Sequence, residues 1–197
     1  MPHALSTICV YCGSSPGVDP DFGAAASAFG RLLVEHEVRL VYGGGHVGLM
    51  GLLAEAVLRD GGEVHGVITR ALVDEEVAHR GLTRLEVVET MHERKAAMAD
   101  LADGFVMLPG GFGTLDEFME AVTWTQLGIH SKPCGVLDVK GFFDPLRALL
   151  ERATGERFMR AEHRDLVIME SDPRVLLARL RSWAPVTVDK WLDADDR

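Results

Sequence analysis

The chain has 197 residues, a formal net charge of −10, and 47% hydrophobic against 25% charged residues. That is a globular mix, long enough to bury a core without staples. No Lys/Arg run is available to neutralise a phosphate backbone, so duplex nucleic acid is not an expected partner.

The elements follow in chain order. Thr7–Tyr11 reads as a buried strand. Asp21–Glu37 reads as a helix, with Phe22, Ala25, Ala26, Phe29, Leu32 and Leu33 on one stripe. Arg39–Tyr42 is a second strand and Gly48–Arg59 a second helix, stopped by Gly61 and Gly62. Glu63–Ile68 is a third strand, while residues 70–82 are polar and ambiguous. Leu85–Val88 is a strand, Met91–Ala102 a helix, Gly104–Leu108 a strand and Thr114–Leu127 a long helix. Cys134–Asp138, Phe143–Ala153 and Leu166–Met169 continue as strand, helix and strand. Pro173–Trp183 closes the fold, with Pro173 suited to a first helical position.

This order predicts an α/β fold, a doubly wound and largely parallel sheet of about seven strands flanked by helices. One domain is expected over residues 1–183, followed by a loosely held acidic tail over 184–197. Three cysteines, Cys9, Cys12 and Cys134, make no disulfide framework. Neither a secretory leader nor an apolar stretch of bilayer length is evident. A cytoplasmic protein with no membrane partner is therefore expected.

In such sheets ligands bind beyond the carboxyl ends of the strands, near the switch in strand order. The chemically suggestive residues fall there. Gly13-Ser14-Ser15 follows the first strand and Gly43-Gly44-Gly45 the second. Thr90, Arg94 and Lys95 follow the fourth, and Pro109–Thr114 the fifth. Four loops at one sheet edge can build one pocket.

Within the last loop, Gly110, Gly111 and Gly113 would let the backbone approach a ligand and take positive φ. Thr114 would then open a helix, whose unpaired N–H groups and positive dipole end suit a phosphate. Thr114 and Glu117 also have capping-box spacing, in which Glu117 would only reach back to the backbone. The Gly43–Gly51 turn is neither a dinucleotide signature nor a Walker A loop. Ligand approach and plain packing explain it equally well.

Thr90 and Glu93 form a second capping-box pattern, placing Arg94 and Lys95 early in a helix. Cations are electrostatically misplaced at that end. A solvated pair, a bound anion or a neighbouring carboxylate such as Glu117 would each account for them. Cys9 and Cys12 have redox spacing but lie within an apolar strand, which favours buried, inert thiols. The eight histidines form no metal-ligand pattern, so no metal and no cofactor are expected. Trp124, Leu127 and Ile129 read as core or subunit interface.

Pro109-Gly110-Gly111-Phe112-Gly113-Thr114-Leu115-Asp116-Glu117 resembles the P-G-G-x-G-T-x-x-E motif of the Lonely Guy family. Those proteins are cytokinin riboside 5′-monophosphate phosphoribohydrolases, long misassigned as lysine decarboxylases. Cys12–Ser15, Gly43–Gly51 and Met91–Lys95 are similar to that family's other segments, in the same order, and the resemblance spans about residues 6–182. It implies a Rossmann-like homodimer that cleaves the N-glycosidic bond of an AMP-like nucleotide. Arg94 and Glu117 map onto the family's catalytic pair. Gly13, Ser14, Gly44, Gly45, Met91, Lys95, Gly110, Gly111, Gly113 and Thr114 would contact the substrate. Asp116 stands where relatives often carry Glu.

Breaking the C1′–N9 bond develops oxocarbenium character, which a carboxylate beside C1′ can stabilise. Arg94 would pair with Glu117, lowering its pKa and fixing its orientation, or would instead hold the ribose or phosphate. Decarboxylation normally needs a pyridoxal phosphate lysine, and Lys95 sits in a nucleotide-type setting instead. A competing expectation is a non-catalytic carrier of a nucleotide or of molybdenum cofactor with the same fold. A single-strand DNA binder is disfavoured by the acidic charge and the 7% aromatic content.

Overall fold

The computed structural model describes residues 5–74 and 78–185. Strand β1 (Thr7–Tyr11) leads through α1 (Pro20–Glu35) to β2 (Arg39–Tyr42), α2 (Gly48–Arg59) and β3 (Val64–Thr69). After a short α3 (Arg70–Asp74) come β4 (Arg84–Val88), α4 (Met91–Leu101), β5 (Gly104–Met107) and α5 (Phe112–Gln126). The order ends with β6 (Cys134–Leu137), α6 (Asp144–Gly155), α7 (Ala161–Arg164), β7 (Val167–Glu170) and α8 (Pro173–Ser182).

The seven strands form one sheet in the order β4-β3-β2-β1-β5-β6-β7. Every strand pairing is parallel. The central strands are buried along their length, which is why they read as unbroken apolar runs. Phe29, Leu33, Leu53, Val57, Leu176 and Leu180 fill one face from α1, α2 and α8. Met98, Phe105, Phe118 and Phe143 pack the other, beneath α4 and α5. Fully buried side chains such as Phe29 and Phe118 each contribute about 1.5–3 kcal/mol.

Local signals place most element ends. The Asp19 side chain caps α1 and the Asp172 side chain caps α8, which has proline in its first turn. The expected capping box at Thr90 and Glu93 opens α4. Helix α1 stops two residues short of the expected Glu37, because Glu37 takes a left-handed φ of 56° and turns the chain toward β2. The 70–82 stretch contains α3, with residues 75–77 outside the described part. The acidic tail from residue 186 also lies outside it.

Helix α5 begins at Phe112, two residues before the expected Thr114, with Gly111 as its cap residue. That shift alters the chemistry of its first turn. The sheet reverses its winding between β1 and β5. There the loops after the two strands meet, where Gly13 N–H donates to the Pro109 carbonyl at 3.0 Å.

Candidate active site

A cleft of about 470 Å³ opens over this switch point. Cys12, Gly13 and Ser14 line it after β1, and Gly43, Gly45, Val47 and Met50 after β2. Ile68 and Leu72 come from the β3 side, Arg94 from α4, and Gly111, Phe112, Gly113, Thr114 and Glu117 from the start of α5. Helices α2 and α5 both begin without a side-chain cap. The positive dipole ends of both helices therefore border one cavity, although in α2 the Leu49 N–H is already taken by the Gly13 carbonyl at 3.0 Å. This gives the cleft a locally favourable field for an anion despite the acidic chain.

The glycines divide by role. A Cβ added at Gly111 or Gly113 would meet nothing within 4 Å. The protein's own packing does not demand glycine there, and both residues are exposed at the cleft. An incoming group can thus reach the α5 backbone unobstructed. Gly110 instead makes room for the Thr114 hydroxyl and for Gly13. The expected positive φ is absent at all three, being confined among the described glycines to Gly17, Gly44, Gly48, Gly61, Gly128 and Gly141. What the turn needs is a missing side chain, not a left-handed backbone.

In the Gly43–Gly51 turn, packing accounts for most of the glycines. Gly48 (φ 60°) lies against the Ser14 backbone, and Gly51 lies against the His46 carbonyl. A side chain at Gly43 would collide with the Arg94 guanidinium.

Arg94 and Glu117 form the polar centre. Arg94 is 6% exposed, so the solvated alternative does not hold. Its Nε donates to the Val67 carbonyl at 2.9 Å and its Nη2 to the Gly43 carbonyl at 3.2 Å. Its Nη1 donates to Glu117 Oε1 at 2.6 Å. The guanidinium is thereby oriented by β3, by the loop after β2, and by α5. With five N–H donors, it retains capacity for a ligand.

The capping-box reading of Thr114 and Glu117 is corrected. Thr114 lies inside the first turn of α5, the cap residue is Gly111, and Glu117 turns to Arg94. The expected fall in the Glu117 pKa is corrected as well. Burial raises it above the ordinary glutamate value, and the opposing pull of Arg94 does not reverse that shift.

The remaining expected contacts separate. Gly13, Ser14, Gly45 and Thr114 line the cleft. Gly44 packs against Ile68 and Leu85, and its carbonyl accepts from His79 N–H. Met91 is 44% exposed, with its sulfur 4.0 Å from Arg94 Nη1. Lys95 turns away from Arg94, and Asp116 and Glu120 hold its ammonium at 3.2 Å each. Burial opposes its charge, but those two carboxylates carry its pKa above the ordinary lysine value. Cys9 and Cys12 are buried, and burial pushes both thiols far up. Among the described residues no cluster of three His, Cys, Asp or Glu could hold a metal ion.

Sequence reasoning did not single out Val47, Met50, Ile68 and Leu72, the apolar side of the cleft. Val47 and Met50 sit at the start of α2, Ile68 at the end of β3 and Leu72 in α3 just after it, so position at the carboxyl edge of the sheet is the signal they carry.

A parallel sheet covered by helices, with a cleft, an open helix start and a buried arginine–glutamate pair at its switch point, defines a Rossmann-like α/β protein. A family model described as "Possible lysine decarboxylase" matches residues 50–180. The chain is 46% identical over 176 residues to the probable cytokinin riboside 5′-monophosphate phosphoribohydrolase LOGL1 of Oryza sativa subsp. japonica, covering 89% of this chain and 79% of that one. It is 46% identical over 178 residues to the cytokinin riboside 5′-monophosphate phosphoribohydrolase LOG of the same plant, covering 90% and 74%. The molybdenum cofactor binding protein of Rippkaea orientalis shares the fold, with a TM-score of 0.69 at 18% identity, over 90% of this chain and 96% of that one. The chain belongs to the cytokinin riboside 5′-monophosphate phosphoribohydrolase family.

Proposed function

We propose that this protein is an N-glycosyl hydrolase. It cleaves cytokinin riboside 5′-monophosphate or AMP to free base and ribose 5-phosphate. The observation that carries this reading is the buried Arg94–Glu117 pair, one helical turn along α5 from the open Gly111–Thr114 start. That turn spans about 5 Å, a separation that suits a 5′-phosphate on the helix end with C1′ of the ribose beside the carboxylate.

The roles follow from the chemistry. The first-turn N–H groups of α5 and the Thr114 hydroxyl hold the phosphate. Glu117 stabilises the developing oxocarbenium charge and accepts a proton from the attacking water. Arg94 orients Glu117 and favours its ionised form, and it is too basic to serve as a general acid. In the balance of the reaction, the C1′–N9 bonding pair leaves with the base, water's hydroxyl joins C1′, and its proton ends on the base. Val47, Met50, Ile68 and Leu72 supply apolar surface for the base. Neither metal nor cofactor has a part in this scheme. Lysine decarboxylation does not fit the family's named activity, and Lys95 is bound to two carboxylates.

Two further expectations belong to this reading. The Leu127 and Ile129 side chains are 43% and 64% exposed at the end of α5, which suits a face for a second copy in a homodimer. All three cysteines are free and buried, in keeping with a cytoplasmic site of action. No helix among the described residues is long and apolar enough to cross a membrane.

The test is a panel of isopentenyladenosine 5′-monophosphate, AMP and the matching nucleosides. Base release is expected from the monophosphates alone. Folded protein that releases base from none of them refutes the hydrolase. If such inactive protein also carries a pterin cofactor on purification, the carrier reading takes its place.

A further inference from the structure

Lys95 follows Arg94 on α4, yet the two side chains serve different contacts. Lys95 is 11% exposed at the side chain, and its Nζ lies 3.2 Å from Asp116 Oδ2 and 3.2 Å from the Glu120 carboxylate. Asp116 and Glu120 stand four residues apart, so the ammonium grips one face of α5. Asp116 directly precedes Glu117, the partner of Arg94. Two consecutive residues of α4 therefore hold two consecutive residues of α5.

Stability alone is a poor explanation for this arrangement. Asp116 is 62% exposed at its side chain and Glu120 29%, and ion pairs so open to solvent contribute little. A lysine at the fifth residue of α4 also gains nothing from the helix dipole. What the arrangement does fix is the setting of α4 on α5, at the point where Arg94 must meet Glu117. Lys95 is not among the residues lining the cleft.

We propose that Lys95 is a positioning residue, whose bridge to Asp116 and Glu120 locks α4 onto α5 and so holds the Arg94 guanidinium on the Glu117 carboxylate. This rests on the phosphoribohydrolase reading. It differs from direct substrate binding in what it predicts. A lost substrate contact raises KM, whereas a loosened catalytic pair lowers kcat.

The test is steady-state kinetics of the full chain on isopentenyladenosine 5′-monophosphate. Lys95→Met is expected to lower kcat on the order of 10- to 100-fold, the scale of small misplacements at a reacting centre, with KM nearly unchanged. The double variant Asp116→Asn/Glu120→Gln leaves Lys95 in place and alters only the more exposed ends of the bridge. It is expected to reproduce the kcat loss, and it keeps the question open to measurement if Lys95→Met does not fold. A raised KM at wild-type kcat in Lys95→Met would overturn the proposal in favour of substrate contact. Wild-type kcat in the double variant would also overturn it. Wild-type protein that releases no base removes both this proposal and the hydrolase reading, whereas active wild type with fully active variants removes only the role of Lys95.

Discussion

The guanidinium of Arg94 occupies the space into which a side chain at Gly43 would project. The same glycine offers its carbonyl to Arg94 Nη2 at 3.2 Å, so one residue both clears the seat and anchors its occupant. A methyl group there has to displace the guanidinium, breaking bonds to Gly43 and Val67 and drawing Arg94 off Glu117. Gly43→Ala is therefore expected to lower kcat/KM about 10²-fold. It should also lower the thermal midpoint, because a buried charge loses its partner. Kinetics and thermal unfolding of the purified variant check both, and wild-type behaviour in the two measurements would reject the seat.

Glu117→Gln separates charge from shape. The amide oxygen can still accept from Arg94 Nη1, so the anchoring bond survives and the fold is expected to hold. The carboxylate that would take a proton and face the oxocarbenium charge is gone. Base release is expected to fall by roughly 10²- to 10⁴-fold, the usual range for losing a general base. A fully active variant would reduce Glu117 to an anchor for Arg94.

The pH profile carries an independent signature. Glu117 is surrounded by Arg94 and Lys95 of α4, Asp116 beside it on α5, and Cys9, Tyr11 and Cys12 at the end of β1. Burial is the largest influence on it and raises its pKa above 4.5. The ionised form is the working one, so activity is lost as pH falls through that raised value. The acid limb of kcat/KM is thus expected above pH 4.5. The linkage to stability has the opposite sense: the contribution of Glu117 to the fold is fully present below its unfolded value and is lost as pH rises through the folded one. A kcat/KM plateau continuing below pH 4.5 would contradict the assignment of Glu117 as the working carboxylate.

Much of this site is legible in the sequence, for reasons of local physics. β1 and β5 are buried on both faces and so read as apolar runs. Thr90 and Glu93 announce the start of α4, which places Arg94 in its first turn. The order of glycine-rich loops after strands brings the pocket residues to one edge. Other features depend on partners far along the chain. The role of Gly43 comes from Arg94, 51 residues away, and the separate directions of Arg94 and Lys95 come from how α5 lies on α4. The start of α5 is hidden in the sequence because Thr114 is a good cap by residue type, whereas Gly111 takes the cap position through its extended backbone without a side-chain bond. Helices α3 and α7 span too few residues to show a period. The sign of the Glu117 shift needed its burial as well as its partner.

Gly113 permits a test that divides the phosphate cradle from the fold. A Cβ at this position meets nothing within 4 Å, and its φ is not left-handed. Gly113→Ala should therefore be harmless to packing. Alanine is the better helix former by up to about 1 kcal/mol, so the thermal midpoint is expected to stay the same or rise slightly. The added methyl group would nevertheless stand in the open first turn, where the proposed mode of binding brings the 5′-phosphate to the backbone. KM for the nucleoside monophosphate is expected to rise roughly tenfold or more, the cost of weakening one charge-assisted hydrogen bond. The variant must be compared with wild type for both stability and KM. A raised KM on an unchanged or stabilised fold supports phosphate binding at the α5 start. An unchanged KM would move the phosphate elsewhere in the cleft, with the uncapped start of α2 the next place to look.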